Sequence, residues 1–239
     1  MRYRILTALA VLVVLTLSVF CYLFPIYPAL ICPGCFGFEK VSDNFYIQTG
    51  VSRQKRKEIV ENYDIAQIRV SAVLGPIQSK PIIFACNDEL KFRSLGGGKE
   101  RWQVLAQTAI NFSPRSLNVS AMGHSLSHLE LKLKVGGSRA SSAIPAWFDE
   151  GLAVLVSKDA RYTGEPKDGE MTELNVQALK SRIQWQNAIA EGKKVYAPSY
   201  RVVKNWFDKA GQAGVNELIE RVKKGEPFAR IYTELGDRP

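Results

Sequence analysis

The sequence predicts an α+β fold, with an apolar N-terminal helix, a small sheet early in the chain and a mainly helical lobe behind it. Three observations predict it. Residues 5–24 form a run of almost purely apolar side chains. Short β-branched and aromatic runs fall between residues 45 and 112, and beyond about residue 116 the apolar side chains recur at helical spacing. Helix and strand therefore segregate instead of alternating regularly, which is the α+β pattern. A length of 239 residues accommodates one sizeable domain and a short appendage.

The appendage comes first. No charge occurs between Arg4 and Glu39, and about 20 apolar residues span the hydrocarbon core of a bilayer. Residues 5–24 are accordingly expected to be a transmembrane anchor behind a cytoplasmic stub, residues 1–4. Arg2 and Arg4 would hold the N-terminus inside and export the rest to the periplasm or the exterior, as a single-pass protein. A cleaved signal peptide would have a shorter apolar part and a small-x-small cleavage pattern. The chain instead continues Pro25-Ile26-Tyr27-Pro28, and the uncleaved anchor is favoured.

Residues 25–40 read as a juxtamembrane linker, and residues 41–237 as the folded domain. The linker holds Cys32-Pro33-Gly34-Cys35. In a reducing compartment that spacing suggests half a zinc knuckle or a redox pair; outside the membrane a local structural disulfide is the favoured reading. Cys21 packs as a small apolar residue in the apolar run, and Cys86 reads as a buried strand thiol.

Within the domain, Phe45-Tyr46-Ile47 has strand character. Ser52 is placed as the N-cap of a helix to about Leu74. Pro81 to Cys86 is a short strand, followed by a turn or short helix ending at Gly96-Gly97-Gly98. Val104 to Phe112 reads as one further strand. An amphipathic helix is expected from about Ser116 to Lys134, stopped by Gly136-Gly137, and another from Pro145 through Val156. After a polar loop over about 158–171, the remainder to Leu235 reads as helical, broken at Gly192, Gly211 and Gly225.

The net charge is +9, of which Arg2 and Arg4 supply two. A basic domain beside anionic headgroups would be drawn to that surface. A nucleic-acid partner is not expected, because no dense Arg/Lys helix or aromatic platform is present.

The two histidines of the chain, His124 and His128, stand four residues apart. On a helix that step returns a side chain to nearly the same face, so two imidazoles can grip one metal ion. Solvent-exposed or hydrogen-bonded core histidines are the alternative. Trp147-Phe148-Asp149-Glu150-Gly151-Leu152-Ala153 then sets an acidic pair in an apolar helix start. Buried carboxylates need a partner, which a cation supplies; first-turn acids favoured by the helix dipole are the alternative.

These two segments together resemble the gluzincin zinc metallopeptidases, specifically the peptidase MA-like domains. Members carry His-Glu-x-x-His on one helix and Trp-Phe-x-Glu-Gly-x-Ala on the next. Tyr196-Ala197-Pro198-Ser199-Tyr200 and Gly225-Glu226-Pro227-Phe228 extend the resemblance over most of residues 40–237. It implies a zincin-like domain in which His124, His128 and Glu150 bind Zn2+ and Asp149 orients an imidazole. It also implies that Tyr196 or Tyr200 steadies an oxyanion, and that the strand Ala106 to Phe112 holds a peptide in extended form.

Position 125 departs from that pattern. The glutamate that serves active relatives as general base is replaced by Ser125, whose hydroxyl has no useful basicity near neutral pH. Acid–base help of that kind is worth about 10²–10⁴-fold in rate. Three readings follow. One is a zinc-binding pseudopeptidase that binds a peptide or protein ligand. Another is a metallohydrolase with a substituted base, and the third a metal-free scaffold in a membrane complex. The sequence does not fix the oligomeric state.

Overall fold

The computed structural model describes residues 2–105, 108–137, 143–164 and 174–238. The chain divides into two units. One comprises Met1–Glu58 with Pro81–Leu117, the other Ile59–Lys80 with Asn118–Pro239.

The first unit opens with helices α1 (Arg2–Leu23) and α2 (Ile26–Ile31). The expected transmembrane anchor over 5–24 is not upheld. Among the described residues no helix is long and apolar enough to cross a membrane. The architecture is α+β, with no spanning segment among the described residues. Leu12, Val14 and Leu17 of α1 are exposed.

Five strands form one sheet: β1 (Phe38–Ser42), β2 (Phe45–Gln48), β3 (Ile82–Ala85), β4 (Trp102–Leu105) and β5 (Ala109–Phe112), in the order β1-β2-β3-β5-β4. Strands β1 and β2 make an antiparallel hairpin whose turn places Asn44 at a positive φ of 59°, a conformation its short polar side chain tolerates. Strand β2 runs parallel to β3, and β3 parallel to β5, with Ile83 opposite Ile110. Because β5 lies inside the sheet, all four of its residues are buried. Phe38, Phe84, Cys86, Phe92 and Leu95 close the core of this unit, Phe92 coming from α4 (Glu89–Ser94).

Several elements differ from the sequence-based expectation. The single strand expected over 104–112 is instead the antiparallel pair β4–β5. Its turn is closed by Thr108, whose N–H and hydroxyl both donate to the Leu105 carbonyl, at 2.7 and 2.9 Å. The described part of the expected peptide-holding edge is therefore interior, and β4 is the edge strand; residues 106 and 107 lie outside the described residues. The segment read as a linker contains α2, a 3₁₀ turn at Pro33–Phe36 and the start of β1. Cys32 and Cys35 are joined by a disulfide at that turn.

Helix α3 (Arg53–Leu74) follows Ser52, whose Oγ accepts from the Lys55 N–H, and passes from the first unit into the second. The second unit adds α5 (Val119–Lys134), α6 (Ala146–Ser157), α7 (Ala160–Thr163), α8 (Arg182–Ala190), α9 (Tyr196–Lys223) and α10 (Phe228–Gly236). Helix α9 is kinked at Gly211, where φ is 63° and ψ −171°. Residues 165–171 of the expected polar loop lie outside the described residues.

Two contacts fix the helices of this unit. Trp147 and Phe148 at the start of α6 pack edge-to-face against Phe228 and Tyr232 of α10, and Phe148 against Trp206 of α9. Burying each such ring contributes roughly 1.5–3 kcal/mol. In α5, fully buried Glu130 accepts the backbone N–H groups of Gln78 and Ser79 at 2.8 and 2.9 Å. Lys134 stands 3.5 Å from the same carboxylate and donates to the Pro76 carbonyl. Glu130 thus ties the segment after α3 to α5.

Candidate metal centre

Helix α5 begins at Asn118, whose Oδ1 accepts the Ala121 N–H at 3.0 Å. That start sets His124 and His128 on one helical face, with ring centroids 4.7 Å apart and Nε2 atoms 3.0 Å apart. Glu150 enters from α6, its Oε2 lying 3.4 Å from His124 Nε2 and 3.7 Å from His128 Nε2. A tetrahedral ion with bonds of ~2.0–2.1 Å separates its ligands by about 3.3–3.4 Å. The three observed separations bracket that value. Glu150 Oε2 is moreover buried and has no hydrogen-bond partner, a costly arrangement for a carboxylate oxygen unless a cation completes it. His124, His128 and Glu150 can hold a metal ion.

Asp149 stands beside this group. Its Oδ1 lies 2.7 Å from His128 Nδ1; an Nδ1–H donated there leaves the Nε2 lone pair free to ligate. The acidic pair also meets a cation that the sequence reading did not identify. Arg182 donates from Nη1 to Glu150 Oε1, and its Nη2 lies 3.4 Å from Asp149 Oδ2. No fixed spacing links position 182 to 149 and 150; the one sequence signal was that an acidic pair in an apolar helix start needs positive charge nearby.

The electrostatics follow from this arrangement. Burial acts to raise the Glu150 carboxyl, but His128, His124 and Arg182 outweigh it and hold the group at about 2. Burial lowers His124, against the opposing pull of Glu150. Burial also acts to lower His128, but Asp149 and Glu150 overcome it and raise that imidazole. An ionised Glu150 and a neutral His124 are in the states that ligation requires; His128 gives up a proton more reluctantly.

The remaining predicted residues divide. Ser125 is fully buried, and its Oγ donates to the Ala121 carbonyl of its own helix at 3.1 Å. The Tyr196 ring lies 6.4 Å from that of His124, stacked on Tyr162 and edge-on to Trp185. Burial and the nearby Glu150 carboxylate push its phenol up to about 12. Tyr200, one turn further along α9, is half-buried. Cys32 and Cys35 belong to the first unit, whereas every residue of the metal group belongs to the second.

No family model, no curated protein and no solved structure matches this chain.

Proposed function

We propose that the chain is a zinc-binding, metallopeptidase-like module that binds a peptide or protein ligand and has lost ordinary proteolysis. His124, His128 and Glu150 hold the ion in this reading, Asp149 orients His128, and Zn2+ supplies a Lewis acid to a ligand carbonyl or water. Zinc is favoured over harder cations by the two-imidazole, one-carboxylate donor set. The observation that carries the reading is the buried Glu150 Oε2, turned toward two imidazole nitrogens at 3.4 and 3.7 Å without a hydrogen bond of its own. The resemblance to gluzincins rests on the same two helices.

The loss of proteolysis in this reading rests on the absence, among the described residues of the site, of a free base. Ser125 spends its proton on the Ala121 carbonyl. Asp149, the acid next to Glu150 in sequence, has one oxygen against His128 and the other toward Arg182. The phenol of Tyr196, raised by burial, stays protonated near neutral pH.

Metal content tests the proposal. The full chain, purified and offered zinc, is expected to carry close to one zinc per chain, and the His124→Ala variant none. Absence of metal from both would leave a metal-free scaffold and remove the enzyme-like reading.

A further inference from the structure

Each carboxylate of the Asp149–Glu150 pair divides its two oxygens in the same way. Glu150 gives Oε1 to Arg182 and turns Oε2 toward the imidazoles, while Asp149 gives Oδ2 to Arg182 and Oδ1 to His128. We propose that Arg182 is a positioning residue for the metal group. By occupying Glu150 Oε1 it makes Glu150 a one-oxygen ligand and keeps the rest of the ion's coordination shell open. This rests on the metal-binding reading above.

The backbone shows how Arg182 reaches that place. Pro145 precedes α6 and offers no side-chain cap, so the first N–H groups of the helix need acceptors from elsewhere. The Lys180 and Leu179 carbonyls accept from Ala146 and Trp147, at 2.8 and 3.2 Å. Residues 179 and 180 are thereby stitched to the helix start that carries the two acids. Ser181 then caps α8 in a reciprocal pair with Gln184, which sets Arg182 as the first residue of that helix. One turn on, Trp185 is 1% exposed and packs against Tyr196, anchoring the first turn of α8.

The chemistry calls for arginine in particular. A guanidinium presents donors in a rigid fork that reaches two carboxylates at once, whereas an ammonium is a point charge. The Glu150 side chain is 4% exposed and that of Arg182 50% exposed, so Arg182 closes the carboxylates from the solvent side. With that fork removed, Glu150 is free to turn and offer both oxygens to an ion. Such a change in the outer partners of a metal ligand typically costs 10–100-fold in metal affinity.

Cobalt(II) substitution tests this, because the intensity of its visible absorption falls as coordination number rises. The full chain and its Arg182→Met and Arg182→Lys variants are loaded with cobalt, and affinity is read by competition with a chelator. Arg182→Met is expected to bind about 10–100-fold more weakly, with a weaker visible band. Arg182→Lys is expected to regain affinity but not the band. Native affinity and a native spectrum in Arg182→Met would overturn the proposal while leaving the metal site standing. If Arg182→Met fails to fold by circular dichroism, the spectrum of Arg182→Lys decides, and a native band there overturns it equally. Failure of the unaltered chain to bind cobalt removes the metal reading and the role of Arg182 together.

Discussion

Ser125 stands beside His124, a proposed metal ligand, with its side chain committed to its own helix. It is fully buried, and its hydroxyl reaches back to the carbonyl four residues earlier, a local bond that serines in helices commonly make. Glutamate at this position would add bulk to a packed site, at a cost of about 1–3 kcal/mol. Under the proposed function it would also supply the base that Ser125 does not. The Ser125→Glu variant, loaded with zinc and assayed by mass spectrometry on a broad peptide mixture, is expected to cleave peptides that the unaltered chain leaves intact. Cleavage by the unaltered chain, unimproved in the variant, would place a working base elsewhere and end the pseudopeptidase reading. At this scale the sequence was informative where chemistry follows helical spacing. His124 and His128 meet because four residues make about one turn, and their ring nitrogens lie 3.0 Å apart. Arg182 was not legible, because its approach depends on backbone bonds from Leu179 and Lys180 that no side-chain pattern announces.

Two glycines flank the site on different helices, and the packing of those helices gives them opposite roles. Gly151 of α6 faces the backbone of α9, where an added Cβ would come within 2.6 Å of both the Ser199 carbonyl oxygen and Val203 Cγ2. Gly123 of α5 sits where a Cβ would meet nothing nearer than 3.8 Å. Gly151→Ala is therefore expected to destabilise the fold by about 1–3 kcal/mol through overpacking. Gly123→Ala is expected to be neutral or to stabilise by roughly 0.5–1 kcal/mol, from the entropy glycine loses in a helix. Thermal unfolding of the metal-free variants reads both, and equal shifts of the same sign would refute the assigned contact between α6 and α9. Position 151 shows why a motif can be read before its reason is visible. Glycine in Trp-Phe-Asp-Glu-Gly marks a close helix crossing, yet its partner, Ser199, lies 48 positions later. The β4–β5 hairpin was missed for the complementary reason: its described turn residue is Thr108, with no glycine or proline to mark the reversal, whereas Asn44 marks the β1–β2 turn with a residue that tolerates positive φ.

For the whole molecule, the division into two units separates two pieces of chemistry that sequence alone allows to be confused. Cys32 and Cys35 have the spacing of half a zinc site, but they are joined to each other in the first unit, while the metal group is drawn entirely from the second. Perturbing one should leave the other unchanged, since effects at sites without shared partners add to within about 0.3–0.5 kcal/mol. The bridge closes only a very short loop, so its reduction removes at most about 2 kcal/mol on the chain-entropy account. Bound metal stabilises by mass action, about 2.7 kcal/mol when free ion stands at 100 times its dissociation constant. The full chain is accordingly expected to show the same zinc-induced rise in melting temperature with and without a non-chelating phosphine reductant. It should bind one equivalent of zinc in both states, and His124→Ala should abolish the rise in both. A second equivalent appearing only on reduction would show that the freed Cys32 and Cys35 thiolates form a metal site of their own. Loss of the zinc-dependent rise on reduction would show that the bridge supports the histidine site, and that the two units are energetically coupled.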